Sequence, residues 1–163
     1  MNALNGANPN DLRLSDLYQE VILDHNKRPR NYGKLEKADH SAHGKNPLCG
    51  DDYFLYLAVD QNGRIQKVGF EGSGCAISKA SASMMTTLVQ GKTGKEAEIL
   101  KNNFIHLLTD KTLSKETVSS VGNLKIFEGV RQFPIRVKCA ALIWRTLEEA
   151  LRENGRKQEV STE

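Results

Sequence analysis

The sequence predicts an α+β domain in which a small antiparallel β-sheet packs against helices, and three observations carry that prediction. Tyr53, Leu55, Leu57 and Val59 alternate with Phe54, Tyr56 and Ala58, as in a strand buried at least partly on both faces. Asn62-Gly63 then supplies two residues suited to positive φ in a tight hairpin turn, and Arg64 to Phe70 returns as a second strand. On either side of this hairpin, apolar residues recur at helical spacing.

Taken in order, the first residues, with Asn, Gly and Pro, read as a flexible arm over 1–12. From Leu14, the positions Leu17, Tyr18, Val21, Ile22 and His25 mark one face of a helix. It should stop near Lys27, because the residue before Pro29 is pushed out of helical geometry. Arg30 to Pro47 is rich in Gly, Asn and Asp without a period and reads mainly as loop. Beyond the hairpin, Gly72-Ser73-Gly74-Cys75 breaks the strand, and a small-residue helix follows from Ile77 to Gln90. Thr93 and Glu96 fit a capping box for the next helix, which Ile99, Leu100, Ile105, Leu107 and Leu108 support. Asp110 to Glu128 reads as a turn or short helix plus a connection. Pro134 can open a last helix through Cys139, Leu142, Ile143, Leu147 and Leu151, ending near Asn154-Gly155. One folded domain over 13–154, with a flexible tail at 155–163, is the expected organisation for 163 residues.

Composition excludes several classes. Hydrophobic residues at 39% and charged residues at 26% suit a globular chain and not a disordered one. No stretch approaches the roughly 20 apolar residues that span a bilayer. The first 20 residues carry Asp11, Asp16 and Glu20, unlike a signal peptide, so a cytoplasmic location is expected. The 23 basic and 20 acidic residues leave +3, scattered along the chain, which argues against a nucleic-acid partner.

The three cysteines are more telling. Cys49 lies in the loop Pro47-Leu48-Cys49-Gly50-Asp51, Cys75 where a Gly-rich turn meets a helix, and Cys139 in the first turns of the last helix. A helix N-terminus favours thiolate over thiol, and Arg136 and Lys138 beside Cys139 push the same way. An unperturbed thiol titrates at about 8.5, so such help decides how much nucleophile exists at neutral pH. Cys49, Asp51, Cys75 and Cys139 together would make a tetrahedral Cys3Asp site with distances of roughly 2.0–2.3 Å to zinc. There is no Cys-x-x-Cys, however, and spacing alone leaves three buried core thiols as the competing reading.

The other candidates are weaker. His25 reads as a packed or capping residue at the end of its helix, and His106 as structural. His40 and His43 could ligate a metal but read better as solvated loop histidines. Gly72-Ser73-Gly74 is followed by no Gly-Lys-Ser/Thr, which argues against nucleotide binding. Met84-Met85 fits helix packing better than a soft-metal site.

At these residues the sequence resembles the SufU-type branch of the IscU and NifU N-terminal (SufE/NifU-like fold) iron–sulfur cluster assembly family. The matching segments are Leu17-Tyr18 through Asp24-His25, Pro29-Arg30-Asn31-Tyr32-Gly33 and Asn46-Pro47-Leu48-Cys49-Gly50-Asp51. Further along they are Phe70-Glu71-Gly72-Ser73-Gly74-Cys75-Ala76-Ile77-Ser78 and Phe133-Pro134-Ile135-Arg136-Val137-Lys138-Cys139-Ala140. Together they cover residues 15 to 152. Two departures separate the chain from an IscU-type scaffold. Lys138 stands where those scaffolds carry a histidine before the third cysteine, and Phe133-Pro134-Ile135-Arg136-Val137 replaces a Leu-Pro-Pro-Val-Lys motif. The segment from Asp110 to Glu128 also lengthens the path to the third cysteine, as in the SufU branch.

That resemblance implies a zinc-dependent sulfurtransferase, with one Zn2+ on Cys49, Asp51, Cys75 and Cys139. It implies a cysteine desulfurase of SufS type as sulfur donor, and the downstream iron–sulfur assembly machinery as recipient. In the implied mechanism a desulfurase histidine replaces one cysteine on zinc, and the released thiolate of Cys49 accepts persulfide sulfur. Asp51, a harder oxygen ligand among sulfurs, is expected to tune ligand lability, and Arg136 to support the partner contact or the thiolate. The alternative is a scaffold on which a [2Fe–2S] cluster is assembled, and a third reading makes the chain an adaptor with structural zinc.

Overall fold

The computed structural model describes residues 9–110, 112–152 and 157–161, with side chains described from Asp16 onward apart from Leu17 and 157–160. The first helix, α1, spans Pro9–Lys27 and so begins inside the segment expected to be a loose arm. Proline with its fixed φ suits a first helical turn. Tyr18 and Ile22 face the core, and the helix closes at Arg28, whose N–H bonds Asp24 O at 2.8 Å just before Pro29.

Three strands form the antiparallel sheet: β1 (His40–Asn46), β2 (Asp51–Val59) and β3 (Ile65–Ser73). A short strand β4 (Lys157–Ser161) lies parallel to β1, giving the order β3-β2-β1-β4. The loop expected over Arg30 to Pro47 therefore hides a strand, and the tail expected to be flexible carries one too. Strand β1 lacks a hydrophobic signature because its inward row is Ala42, Gly44 and Asn46. Small residues are required there, since a Cβ on Gly44 would overlap Thr146 Oγ1 and lie 3.2 Å from Leu142 Cδ1 of the last helix. Strand β4 extends the otherwise free edge of β1, whose unpaired backbone groups it satisfies.

The β2–β3 hairpin is as expected, but its turn differs. Gly63 takes the left-handed region at φ 79°, whereas Asn62 does not. Asp60 holds the loop instead, its Oδ1 accepting the N–H groups of Asn62 and Arg64, both at 2.9 Å. Three-residue loops of this kind place one left-handed residue after a turn. At its far end β3 continues through Gly72, so the break comes at Gly74 and not before it. Gly72, at φ 134°, lies so close to β2 that a Cβ would collide with Asp52 O.

The remaining helices pack behind the inner face of the sheet, the last of them directly on β1 and β2. They are α2 (Ala76–Val89), α3 (Gly94–Thr109), α4 (Lys115–Ser120) and α5 (Pro134–Arg152), with a 3-10 segment over Gly122–Gln132 before α5. Thr93 caps α3 as expected, its side chain accepting from Glu96 N at 3.1 Å. Leu55, Leu57 and Phe70 from the sheet meet Met85, Leu142 and Trp144 from α2 and α5 in one continuous core. Where α2 crosses α5 it presents Ala80, Ser81 and Ala82, all fully buried. Ser81 Oγ donates to Ala140 O at 2.7 Å and accepts from Trp144 Nε1 at 3.1 Å. That tie fixes the starts of α2 and α5 relative to each other, which matters because Cys75 and Cys139 are there.

Candidate metal centre

The site is assembled from three chain segments at one end of the sheet. Residues 47–50 form the turn between β1 and β2 and carry Cys49, whose N–H bonds Asn46 O at 3.2 Å. Gly50 takes φ 70°, a left-handed conformation that closes the turn without a Cβ penalty. Asp51 opens β2 on the inward row shared with Tyr53 and Leu55 and is 2% exposed. Cys139, in the second turn of α5, is likewise 2% exposed.

Cys49, Asp51 and Cys139 each offer a ligand atom within 4.8 Å of the others. The two sulfurs are 3.0 Å apart, with Cys139 Sγ donating to Cys49 Sγ. Cys75 stands outside this trio yet is tied to it. Its N–H donates to Asp51 Oδ1 at 2.9 Å, and Ser78 Oγ donates to the same oxygen at 3.0 Å. Its own sulfur caps α2 by accepting from Ser78 N at 3.4 Å. Ser78 Oγ further pairs with Tyr53 OH at 3.0 Å. Gly74 leaves the necessary room, because a Cβ there would lie 2.5 Å from Asp51 Oδ1.

Electrostatics assign the thiols different parts. Burial pushes the Cys139 thiol well above its ordinary pKa, and the hydrogen bond to Cys49 and the charge of Cys75 add to it. The expectation that a helix start with Arg136 and Lys138 would favour a Cys139 thiolate is therefore corrected: desolvation dominates. Cys75, not Cys139, takes the helix N-cap. Cys49 is only half-buried, on a turn whose next residue towards the N-terminus, Leu48, is exposed. Burial also raises the Tyr53 phenol, which remains a neutral hydroxyl beside Ser78.

The remaining candidates are placed elsewhere. Arg136, exposed at the start of α5, lies over the Phe133 ring at 4.4 Å from its centroid. Lys138 lines a cavity with Ile105, Leu108 and Glu149. His25 Nδ1 pairs with Ser83 Oγ at 2.7 Å, tying α1 to α2. His40 Nδ1 pairs with Ala150 O at 2.7 Å, and His43 stacks on Phe54 and pairs with Asp52. Both are strand residues with partners and not solvated loop histidines. His106 reaches Asp110 one turn on, at 3.5 Å. No histidine joins a potential ligand group among the described residues. Sequence reasoning quoted Asn46 in a motif but missed its place in the site. Fully buried, it directs Nδ2 to Asp51 Oδ2 at 3.4 Å and Cys139 Sγ at 3.6 Å. No sequence signal marked it, because its inward position belongs to strand β1, which the sequence did not reveal.

A small α+β domain that gathers thiols and a carboxylate where its strands and helices begin defines the class of protein. More particularly, the model of the NifU-like N terminal domain matches residues 17–159, and the chain belongs to that family of iron–sulfur cluster assembly proteins. It is 35% identical over 149 residues to the iron–sulfur cluster assembly scaffold protein IscU of Streptococcus pyogenes serotype M1, covering 91% of each chain. Over 143 residues it is 38% identical to the zinc-dependent sulfurtransferase SufU of Bacillus subtilis strain 168, covering 87% of this chain and 95% of that one. Among solved structures, a crystal structure of a hypothetical protein superposes with a TM-score of 0.78 at 36% identity, covering 85% of this chain and 99% of the other. An NifU-like N-terminal domain from Brucella abortus superposes at 0.75 and 25% identity, over 85% and 94%. Scaffold and sulfurtransferase names both occur among the relatives. No helix among the described residues is long and apolar enough to cross a membrane.

Proposed function

We propose that the chain is a zinc-dependent sulfurtransferase that accepts persulfide sulfur from a cysteine desulfurase of SufS type and passes it to cytoplasmic iron–sulfur cluster assembly. The observation that carries this reading is the unequal pair of thiols. Cys139 is buried and held, whereas Cys49, 3.0 Å away, sits half-exposed on a surface turn. Cys49, Asp51 and Cys139, with Cys75 turned from its capping position, would hold the zinc. Two or three thiolates and one carboxylate are donors that zinc accepts in tetrahedral sites. When bound, zinc keeps thiols deprotonated without redox chemistry of its own. That is the help Cys139 needs, since burial alone holds it protonated.

The chain's own residues supply the rest. Leu48, 62% exposed and directly before Cys49, and Ile135, 58% exposed and one helical turn before Cys139, offer apolar surface to a docking partner. The Cys49 thiolate attacks the outer sulfur of the partner's persulfide. The partner's S–S bond breaks, its electron pair returns to the partner cysteine as thiolate, and Cys49 carries the sulfur as a persulfide. Asp51 keeps Oδ1 engaged with Cys75 N and Ser78 Oγ, leaving Oδ2 as the weaker, harder ligand that tunes lability. Arg136 sits on the same exposed first turn of α5 as Ile135, where it serves partner contact.

Desulfurase turnover with and without this protein tests the reading. Wild type should stimulate turnover and acquire a persulfide on Cys49, and Cys49→Ala should do neither. An adaptor with structural zinc would still stimulate after that substitution. Anaerobic reconstitution with iron and sulfide addresses the scaffold reading, which the IscU-named relatives favour. A stable protein-bound visible spectrum would support it over sulfur transfer.

A further inference from the structure

We propose that Asn46 is a positioning residue that fixes Asp51 and Cys139 as the rigid half of the metal site, so that Cys49 is the thiol free to leave it. This rests on the sulfur-transfer reading above. Asn46 is the last residue of β1 and faces Asp51 across the β1–β2 pair. It touches three of the four candidate ligands. Its Nδ2 reaches Asp51 Oδ2 and Cys139 Sγ, and its backbone O receives the Cys49 N–H.

The two kinds of contact act differently. Asn46 holds Asp51 and Cys139 through the side-chain atoms that would meet the metal, whereas it holds Cys49 only through that residue's backbone N–H. Groups just outside a metal's ligands commonly orient them and tune their basicity in this way. Asp51 Oδ1 already accepts two hydrogen bonds, so Oδ2, the oxygen that Asn46 steers, is the one left for the metal. Among the described residues, Asn46 Oδ1 is the one buried side-chain polar atom without a partner. A side chain serving packing alone would avoid such an orphan, and an apolar residue of similar volume would fill the space without it.

Asn46→Leu and Asn46→Asp test this with three readouts: zinc affinity by chelator competition, the absorption bands of the cobalt(II)-loaded protein, and the order of thiol alkylation in zinc-loaded protein. Wild type should lose Cys49 to alkylation first. Asn46→Leu should bind zinc about 10- to 100-fold more weakly, shift the cobalt bands and expose Cys139 alongside Cys49. Its metal-free melting temperature should change little, because removing the orphan Oδ1 offsets the loss of the long Nδ2 contact to Asp51 Oδ2. Asn46→Asp, isosteric but without the N–H donors, should likewise shift the cobalt bands and expose Cys139 alongside Cys49, while its added negative charge opposes the loss of zinc affinity. Unchanged affinity, spectra and alkylation order in both variants would overturn the proposal. So would weaker zinc binding matched by a lower metal-free melting temperature in both, which is a packing role. A wild-type protein that binds neither metal would overturn the sulfur-transfer reading, and this inference with it.

Discussion

Thr146 of α5 occupies the space into which any side chain on Gly44 of β1 would project. The closeness of helix to strand at this point sets how far Cys139, two turns earlier on α5, stands from the β1–β2 turn that carries Cys49. Gly44→Ala should therefore destabilise the fold by about 1–3 kcal/mol, the usual cost of overpacking a filled core. Adding Thr146→Ala should recover part of that loss, because the overlapping Oγ1 is removed while the 3.2 Å approach of Leu142 remains. Denaturant melts of the four proteins in the cycle measure the coupling. Strict additivity would mean that the strand and helix do not meet as described.

Gly74→Ala addresses the site more directly. The added methyl group would crowd Asp51 Oδ1, Ser78 Oγ and Tyr53 OH, all within 2.6 Å of its position. Those atoms form the network that aims the carboxylate. Zinc affinity should fall by roughly 10-fold or more, as for other losses of supporting contacts around a metal. Chelator competition gives the answer, and unchanged affinity would show that Asp51 is not a ligand.

His25 gives a pH dependence. Burial lowers its pKa first, and the Arg30 charge lowers it further against the opposing pull of Asp24. The unfolded chain thus takes up this proton more readily than the folded one. The contribution is fully present above the unfolded pKa of about 6.5 and is lost as pH falls from there through the lower folded value. Stability measured between about pH 7 and 5 should decline with acid in wild type. In His25→Gln that decline should be shallower. Parallel curves would mean that the contact with Ser83 does not discriminate between the charged and neutral ring.

Much of this was legible in the sequence. Alternation announced β2 and its hairpin, and helical spacing announced α3 and α5; the motif residues named Cys49, Asp51, Cys75 and Cys139 as one ligand set, of which the fold gathers Cys49, Asp51 and Cys139 within 4.8 Å and leaves Cys75 beside them. Strand β1 was not legible because hydrophobic patterning reports large inward residues, and here the inward row is Ala42, Gly44 and Asn46, trimmed to admit α5. Strand β4 draws on pairing with β1 rather than on a pattern of its own. The ionisation of Cys139 was misjudged for a related reason: its position near a helix start is visible in the sequence, whereas the depth of its burial is a tertiary property. Asn46 was hidden in plain text, since a polar residue before a turn ordinarily needs no partner.

The most direct test of the central claim is metal content, by mass spectrometry, of protein purified without added metal, for wild type and Cys49→Ala. Zinc should be present at about one per chain in wild type with little iron, and reduced in Cys49→Ala. Iron with matching acid-labile sulfide, or no metal in either protein, would contradict the account.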